Sequence, residues 1–110
     1  MITFIIKEPK MIYITQLIFL KQGKEKIFLE FEKFAIPLMK KYNGKMIYRL
    51  RPDKNSYVSS TAGHPYEIHF ISFTSEEDLN AFMNDDSRLS FIHLKEESIK
   101  STILVKGVKM

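Results

Sequence analysis

Residues 11–20, MIYITQLIFL, carry apolar side chains on both of their alternating sets. Ile12, Ile14, Ile18 and Leu20 form one, and Tyr13, Leu17 and Phe19 the other. Successive side chains of a strand point to opposite faces, so this segment must be covered from two sides. Its β-branched and aromatic content favours a strand over a helix. The pattern recurs twice. In residues 66–73, Ile68 and Phe70 oppose Ile71 and Phe73, and in residues 101–108, Ile103 and Val105 oppose Leu104. A sheet built from these strands needs a layer on each face.

The segments between them supply one layer. In residues 24–42 a wide apolar stripe runs through Ile27, Phe28, Phe31, Phe34, Ala35, Leu38 and Tyr42. Lysines alternate with Glu25, Glu30 and Glu32 opposite the stripe, which predicts an amphipathic helix with a solvated outer face. Pro37 removes a backbone donor and predicts a kink or break near Ile36, and Asn43-Gly44 ends the helix. Residues 45–51 read as a second strand, and residues 52–63 as a polar connection, either hairpin or lid. Thr74 or Ser75 caps a further helix, with the Thr74–Glu77 spacing of a capping box. Leu79, Phe82 and Met83 form its buried face. A restart at Asp85-Asp86-Ser87 places Leu89, Ile92, Glu96 and Ile99 at turn spacing.

The order strand, helix, strand, strand, helix, strand is that of a ferredoxin-like α+β domain. Its sheet is antiparallel and its helices lie on one face. We expect a single such domain over residues 11–110, preceded by an N-terminal extension over residues 1–10. Helices hide only one side of the sheet. An apolar second side of roughly 500 Å2 corresponds to about 10 kcal/mol of burial before association costs. A twofold partner copy covers it best, giving a dimeric α+β barrel; the N-terminal segment folded back over the sheet is the alternative.

Composition removes several function classes. The chain has 110 residues and no cysteine, which excludes disulfides and thiolate chemistry. The longest apolar stretch is about half a membrane span, and the order of charges after Ile6 is wrong for a secretory signal, so the expected location is cytoplasmic. The net charge of +4 is spread along the chain without a patch, which argues for solubility and against nucleic acid as partner. There is no phosphate-cradling glycine loop and no nucleophile elbow. His64, His69 and His93 form no recognised metal motif, and neither a metal nor a cofactor is implied.

Two resemblances follow from short motifs. Tyr42-Asn43-Gly44-Lys45 with Arg49 and the preceding Pro37, together with Ser75-Glu76-Glu77 and Asp85 to Arg88, resemble a small bacterial family of the dimeric α+β barrel superfamily. That family usually has a glycine where this chain has Asn43, and an acid where it has Ser72. The resemblance implies a homodimer with a small-molecule pocket between sheet and helices. Relatives in the superfamily include antibiotic-biosynthesis-type monooxygenases, so a cofactor-independent monooxygenase or isomerase is the enzymatic alternative. Residues 12–17 and 70–78 are also similar to the two signatures of the RNA-recognition motif, with Tyr13 and Phe70 as stacking aromatics. Ile68, Tyr66 and Glu67 stand there where an aromatic, a cation and a glycine are usual, which makes a poor stacking platform.

The residues that carry chemistry cluster around His69. It shares a strand face with Glu67, and Arg49 or Arg51 from the neighbouring strand can sit opposite. Such a group either anchors an anionic ligand and tunes an imidazole for proton transfer, or is a cross-strand ion pair with one satisfied histidine. His69 and Arg49 are the catalytic candidates. Tyr13, Tyr48, Arg49, Glu67 and His69 are the candidates for ligand binding, with Tyr66 as a further aromatic lining. His64 reads as a turn residue and His93 as solvent-facing.

Overall fold

The computed structural model describes residues 10–110; residues 1–9, most of the expected extension, lie outside the described residues. Four strands, β1 (Ile12–Leu20), β2 (Gly44–Leu50), β3 (Glu67–Phe73) and β4 (Ile99–Gly107), pair antiparallel in the order β2-β3-β1-β4. Helices α1 (Glu25–Leu38), α2 (Glu76–Met83), α3 (Asp86–Ser90) and α4 (Ile92–Ser98) join them. This is the ferredoxin-like arrangement expected from the order of elements.

Register fixes which side chains meet. Ile14 pairs with Ile71, Gln16 with His69, and Ile18 with Glu67 across β1 and β3. Ile12, Ile14, Ile71 and Phe73 therefore share the face that packs on Met39 and Phe82. β2 shifts register between Met46 and Tyr48. Through that irregularity Met46 points to the helices, Tyr48 and Leu50 point away, and Arg49, opposite His69, returns to the helix side.

Several local expectations need correction. α1 runs through Pro37 to Leu38 and only then tightens into a 3-10 turn, Met39–Tyr42, so the break expected near Ile36 falls just after Leu38. Pro37 and Lys33, whose carbonyl loses its donor, both lie on the exposed side, where water can replace the bond. Asn43 then adopts φ 58°, the left-handed turn foreseen for it. The Thr74–Glu77 capping box does not form. Ser75 caps α2 by accepting from the Asp78 amide at 3.1 Å, and the Thr74 hydroxyl bonds the Asp78 carboxylate instead. The second helical segment divides at Phe91, which rotates its buried face by one residue. Leu89 and Glu96 are exposed, whereas Arg88 and Ser98 are buried and Lys95 is half-buried. Ile99 already belongs to β4.

Gly44 is a close-approach position. A Cβ there would come within 2.6 Å of Phe73 Cε1 and 3.1 Å of Met39 Cβ, so the ring of Phe73 occupies the space a side chain would need.

Candidate functional site

The helix-facing side of the sheet contains a charge network at one end. Glu67 is 0% exposed, yet both its oxygens are engaged: Arg49 Nε donates to Oε2 at 3.0 Å and Arg51 Nε to Oε1 at 2.7 Å. His69 Nε2 bonds Oε2 as well. A carboxylate only accepts, so Nε2 is the donor. Burial pushes the Glu67 carboxyl up, but the hydrogen bonds from His69, Arg49 and Arg51 outweigh it and hold the pKa at about 2. Arg51 also lies over the ring of Tyr66, 5.2 Å from its centroid.

From the helix layer Glu32 closes on this network, its Oε2 4.0 Å from His69 Nε2. Burial raises its pKa; His69 acts in the opposite direction and Glu67 reinforces the rise. Ligand atoms of Glu32, Glu67 and His69 lie within 4.8 Å of one another, a spacing compatible with a cation. The chemistry opposes one. Both Glu67 oxygens are spent on guanidinium groups, whose charge repels a metal, and His69 Nε2 holds a proton.

Between sheet and helices lies a cavity of about 560 Å3 that includes His69 and Glu32. Ile14, Phe31, Ala35, Met39, Phe73 and Phe82 form apolar walls, and Gln16, Arg88, Lys95 and Thr102 add polar groups. Arg88 is placed by its cap: Asp85 accepts from its backbone amide at 2.9 Å, while the Tyr42 hydroxyl holds the Asp85 carboxylate from the end of the first helical segment. The guanidinium lies over Phe31 and Phe82, at 5.8 and 5.2 Å from the ring centroids. Burial lowers the pKa of Arg88, and burial followed by the charge of Arg88 lowers that of Lys95.

The structure thus brings Arg49, Glu67 and His69 together on the covered face, but not Tyr13 and Tyr48. Those two point to the open face, where both stack on Phe70 with centroids 5.8 and 6.2 Å apart. Odd positions of β1 and the post-irregularity even positions of β2 face away from the helices. Tyr66 lies edge-on to Phe28, 5.8 Å between centroids. His64 stacks on Tyr57 in the β2–β3 connection, and His93 is exposed. Glu32, assigned from sequence to the solvated face, is the clearest omission. It stands one turn after Phe28 and one before Ala35, both buried, and that spacing was its signal.

No family model and no curated protein matches the chain. Solved structures do. A Rhodopseudomonas palustris protein of unknown function superposes with a TM-score of 0.80 at 9% identity, covering 92% of this chain and 83% of that one. A DABB family protein with a ferredoxin-like fold from Mesorhizobium loti gives 0.67 at 12%, covering 92% and 98%. A protein from Bacteroides fragilis, described as dimeric with a ferredoxin-like fold, gives 0.65 at 14%, covering 94% and 100%. NIPSNAP family proteins, one from Agrobacterium tumefaciens at 19% identity, share the fold too. No helix among the described residues is long and apolar enough to cross a membrane. Identities this low speak to architecture, and the architecture they establish is the ferredoxin-like α+β fold found in DABB and NIPSNAP proteins.

Proposed function

We propose that the protein is a homodimer that binds a small organic molecule between its sheet and its helices. The carrying observation is the 560 Å3 cavity, apolar along its walls and polar at His69, Glu32, Arg88 and Lys95. A few converging polar groups in an apolar cleft of this size are the usual composition of a ligand site. Its test is a thermal-shift screen of small organic compounds against the wild type and Ala35→Phe, which fills the cavity. Stabilisation of the wild type alone is expected; a screen without any stabilising compound at millimolar concentration sinks the reading.

The dimer rests on the opposite face of the sheet. Tyr48, Leu50, Ile103 and Val105 are exposed there, at 59%, 51%, 51% and 61%, with Tyr13, Ile68 and Phe70 between them. A second copy buries such a patch sheet on sheet, and a similar protein described as dimeric supports the arrangement. Sedimentation should give twice the chain mass for the wild type and one chain mass for the Ile103→Lys, Val105→Lys double variant. A monomeric wild type at micromolar concentration ends this part. Tyr13 and Phe70 do occupy one open surface as RNA-binding aromatics would. They stack on each other, however, and aliphatic side chains surround them, which suits a protein partner better than phosphate.

Glu32 favours an enzymatic second reading. A carboxyl with a raised pKa facing a cavity beside His69 is suited to proton transfer in an isomerase. Turnover of a bound compound that Glu32→Gln abolishes without loss of binding is the outcome that selects it.

A further inference from the structure

We propose that the cavity takes an amphipathic organic anion, whose acidic group is held by Arg88 with Lys95 alongside and whose apolar body lies against Phe31, Phe73 and Phe82. This assignment rests on reading the cavity as a ligand site and adds the chemical class of the ligand.

Arg88 is 5% exposed, and Nε has no acceptor. The acceptor of its guanidinium is the Met83 carbonyl, 3.3 Å from Nη1. Among the described residues it forms no ion pair, which is an unusual condition for a buried arginine. Two of the acids nearby are committed elsewhere. Asp85 accepts from the Arg88 backbone amide and bonds Tyr42. Glu76 pairs with Lys106 at 2.7 Å. Glu32 faces the same space and its charge favours the charged forms of Arg88 and Lys95, but it reaches only His69, at 4.0 Å, and forms no ion pair with either cation.

Glu67 shows how this fold treats a buried charge that it satisfies itself, with two arginines and a histidine. Arg88 has received no such shell. It lines the cavity together with Lys95, a second cation without a contact partner. A guanidinium forms forked hydrogen bonds with planar acidic groups, and desolvation strengthens them. The guanidinium lies over the rings of Phe31 and Phe82, and its Nε is left to meet a ligand. Ile14, Ala35, Met39 and Phe73 add apolar wall that suits a hydrocarbon or aromatic body.

Matched acid and alcohol probes separate the ligand class from the cavity itself. Isothermal titration at pH 7 would compare 1-naphthoate with 1-naphthalenemethanol, and octanoate with 1-octanol. At least one acid is expected to bind about tenfold tighter than its alcohol. Arg88→Gln should remove the preference, Arg88→Lys should keep part of it, and Lys95→Met should reduce it severalfold. Glu32→Gln, which withdraws a competing carboxyl, should tighten the acid and leave the alcohol unchanged. If Arg88→Gln does not fold, Lys95→Met and Glu32→Gln decide the matter. Equal binding of acids and alcohols overturns the anion and leaves the cavity reading intact. Binding by none of the four compounds overturns both. An acid preference unaffected by the Arg88 and Lys95 variants overturns the assignment to these residues.

Discussion

One end of the covered face and the uncovered face are arranged opposite to the habit of a lone domain. The covered face holds Glu67, His69 and the inward-turned Arg49 and Arg51, whereas the uncovered face holds Tyr48, Leu50, Ile103 and Val105. Charge is expensive to bury and aliphatic surface is costly to expose, so neither choice favours an isolated chain. The difference teaches where each kind of contact is used. Polar groups beneath the helices border a cavity, and apolar groups on the far side form a surface suited to another sheet.

Breaking the covered face should have the largest effect. Arg49→Ala with Arg51→Ala leaves Glu67 buried with His69 alone, and unfolding in urea should show a loss of about 3–5 kcal/mol. The acid dependence should also weaken, because two of the three hydrogen bonds that hold the Glu67 pKa down are gone. A loss below about 1 kcal/mol would mean that Glu67 is not buried as described. Next in size is acid. The Glu67 pKa is depressed from its ordinary 4.5 to about 2, so its stabilisation is complete above 4.5 and disappears as pH falls towards 2. The amount is at most about 3 kcal/mol, reduced by the half-exposed arginines. Glu67→Gln should flatten the melting temperature across that window; an unchanged acid slope contradicts the network. The smallest effect belongs to Glu32, whose pKa is raised. Its contribution is present at low pH and lost as pH rises through the folded value. Glu32→Gln should therefore stabilise the protein at neutral pH, by about 0.5 kcal/mol. Equal melting temperatures at neutral pH, or a destabilised variant, would show that Glu32 is already satisfied.

Much of this was legible in the sequence. Alternation in residues 12–20 and 67–73 gave both faces of the sheet, because a period of two survives any error in strand ends. Strand parity put Glu67 and His69 on one face and allowed Arg49 or Arg51 opposite them; that both arginines bond Glu67 was not legible. What escaped was parity across an irregularity. Tyr48 and Arg49 were grouped as joint ligand candidates, although adjacent strand residues point apart, and Tyr13 was grouped with His69 although their faces differ. Arg88 and Lys95 escaped for another reason. A period drawn through Leu89, Ile92 and Ile99 carries Glu96 with it, whereas the break at Phe91 turns Arg88 and Lys95 inward. Nothing in composition announces a helix whose polar side chains are the buried ones.

Gly44 gives the cavity a size control at its margin. Its missing side chain is the reason the aromatic ring of Phe73 can lie back against β2. Phe73 also lines the cavity, so a methyl group at position 44 would act as a wedge against that ring and change the shape of the cavity. Substitutions at this one backbone position would then grade the dimensions of the cavity.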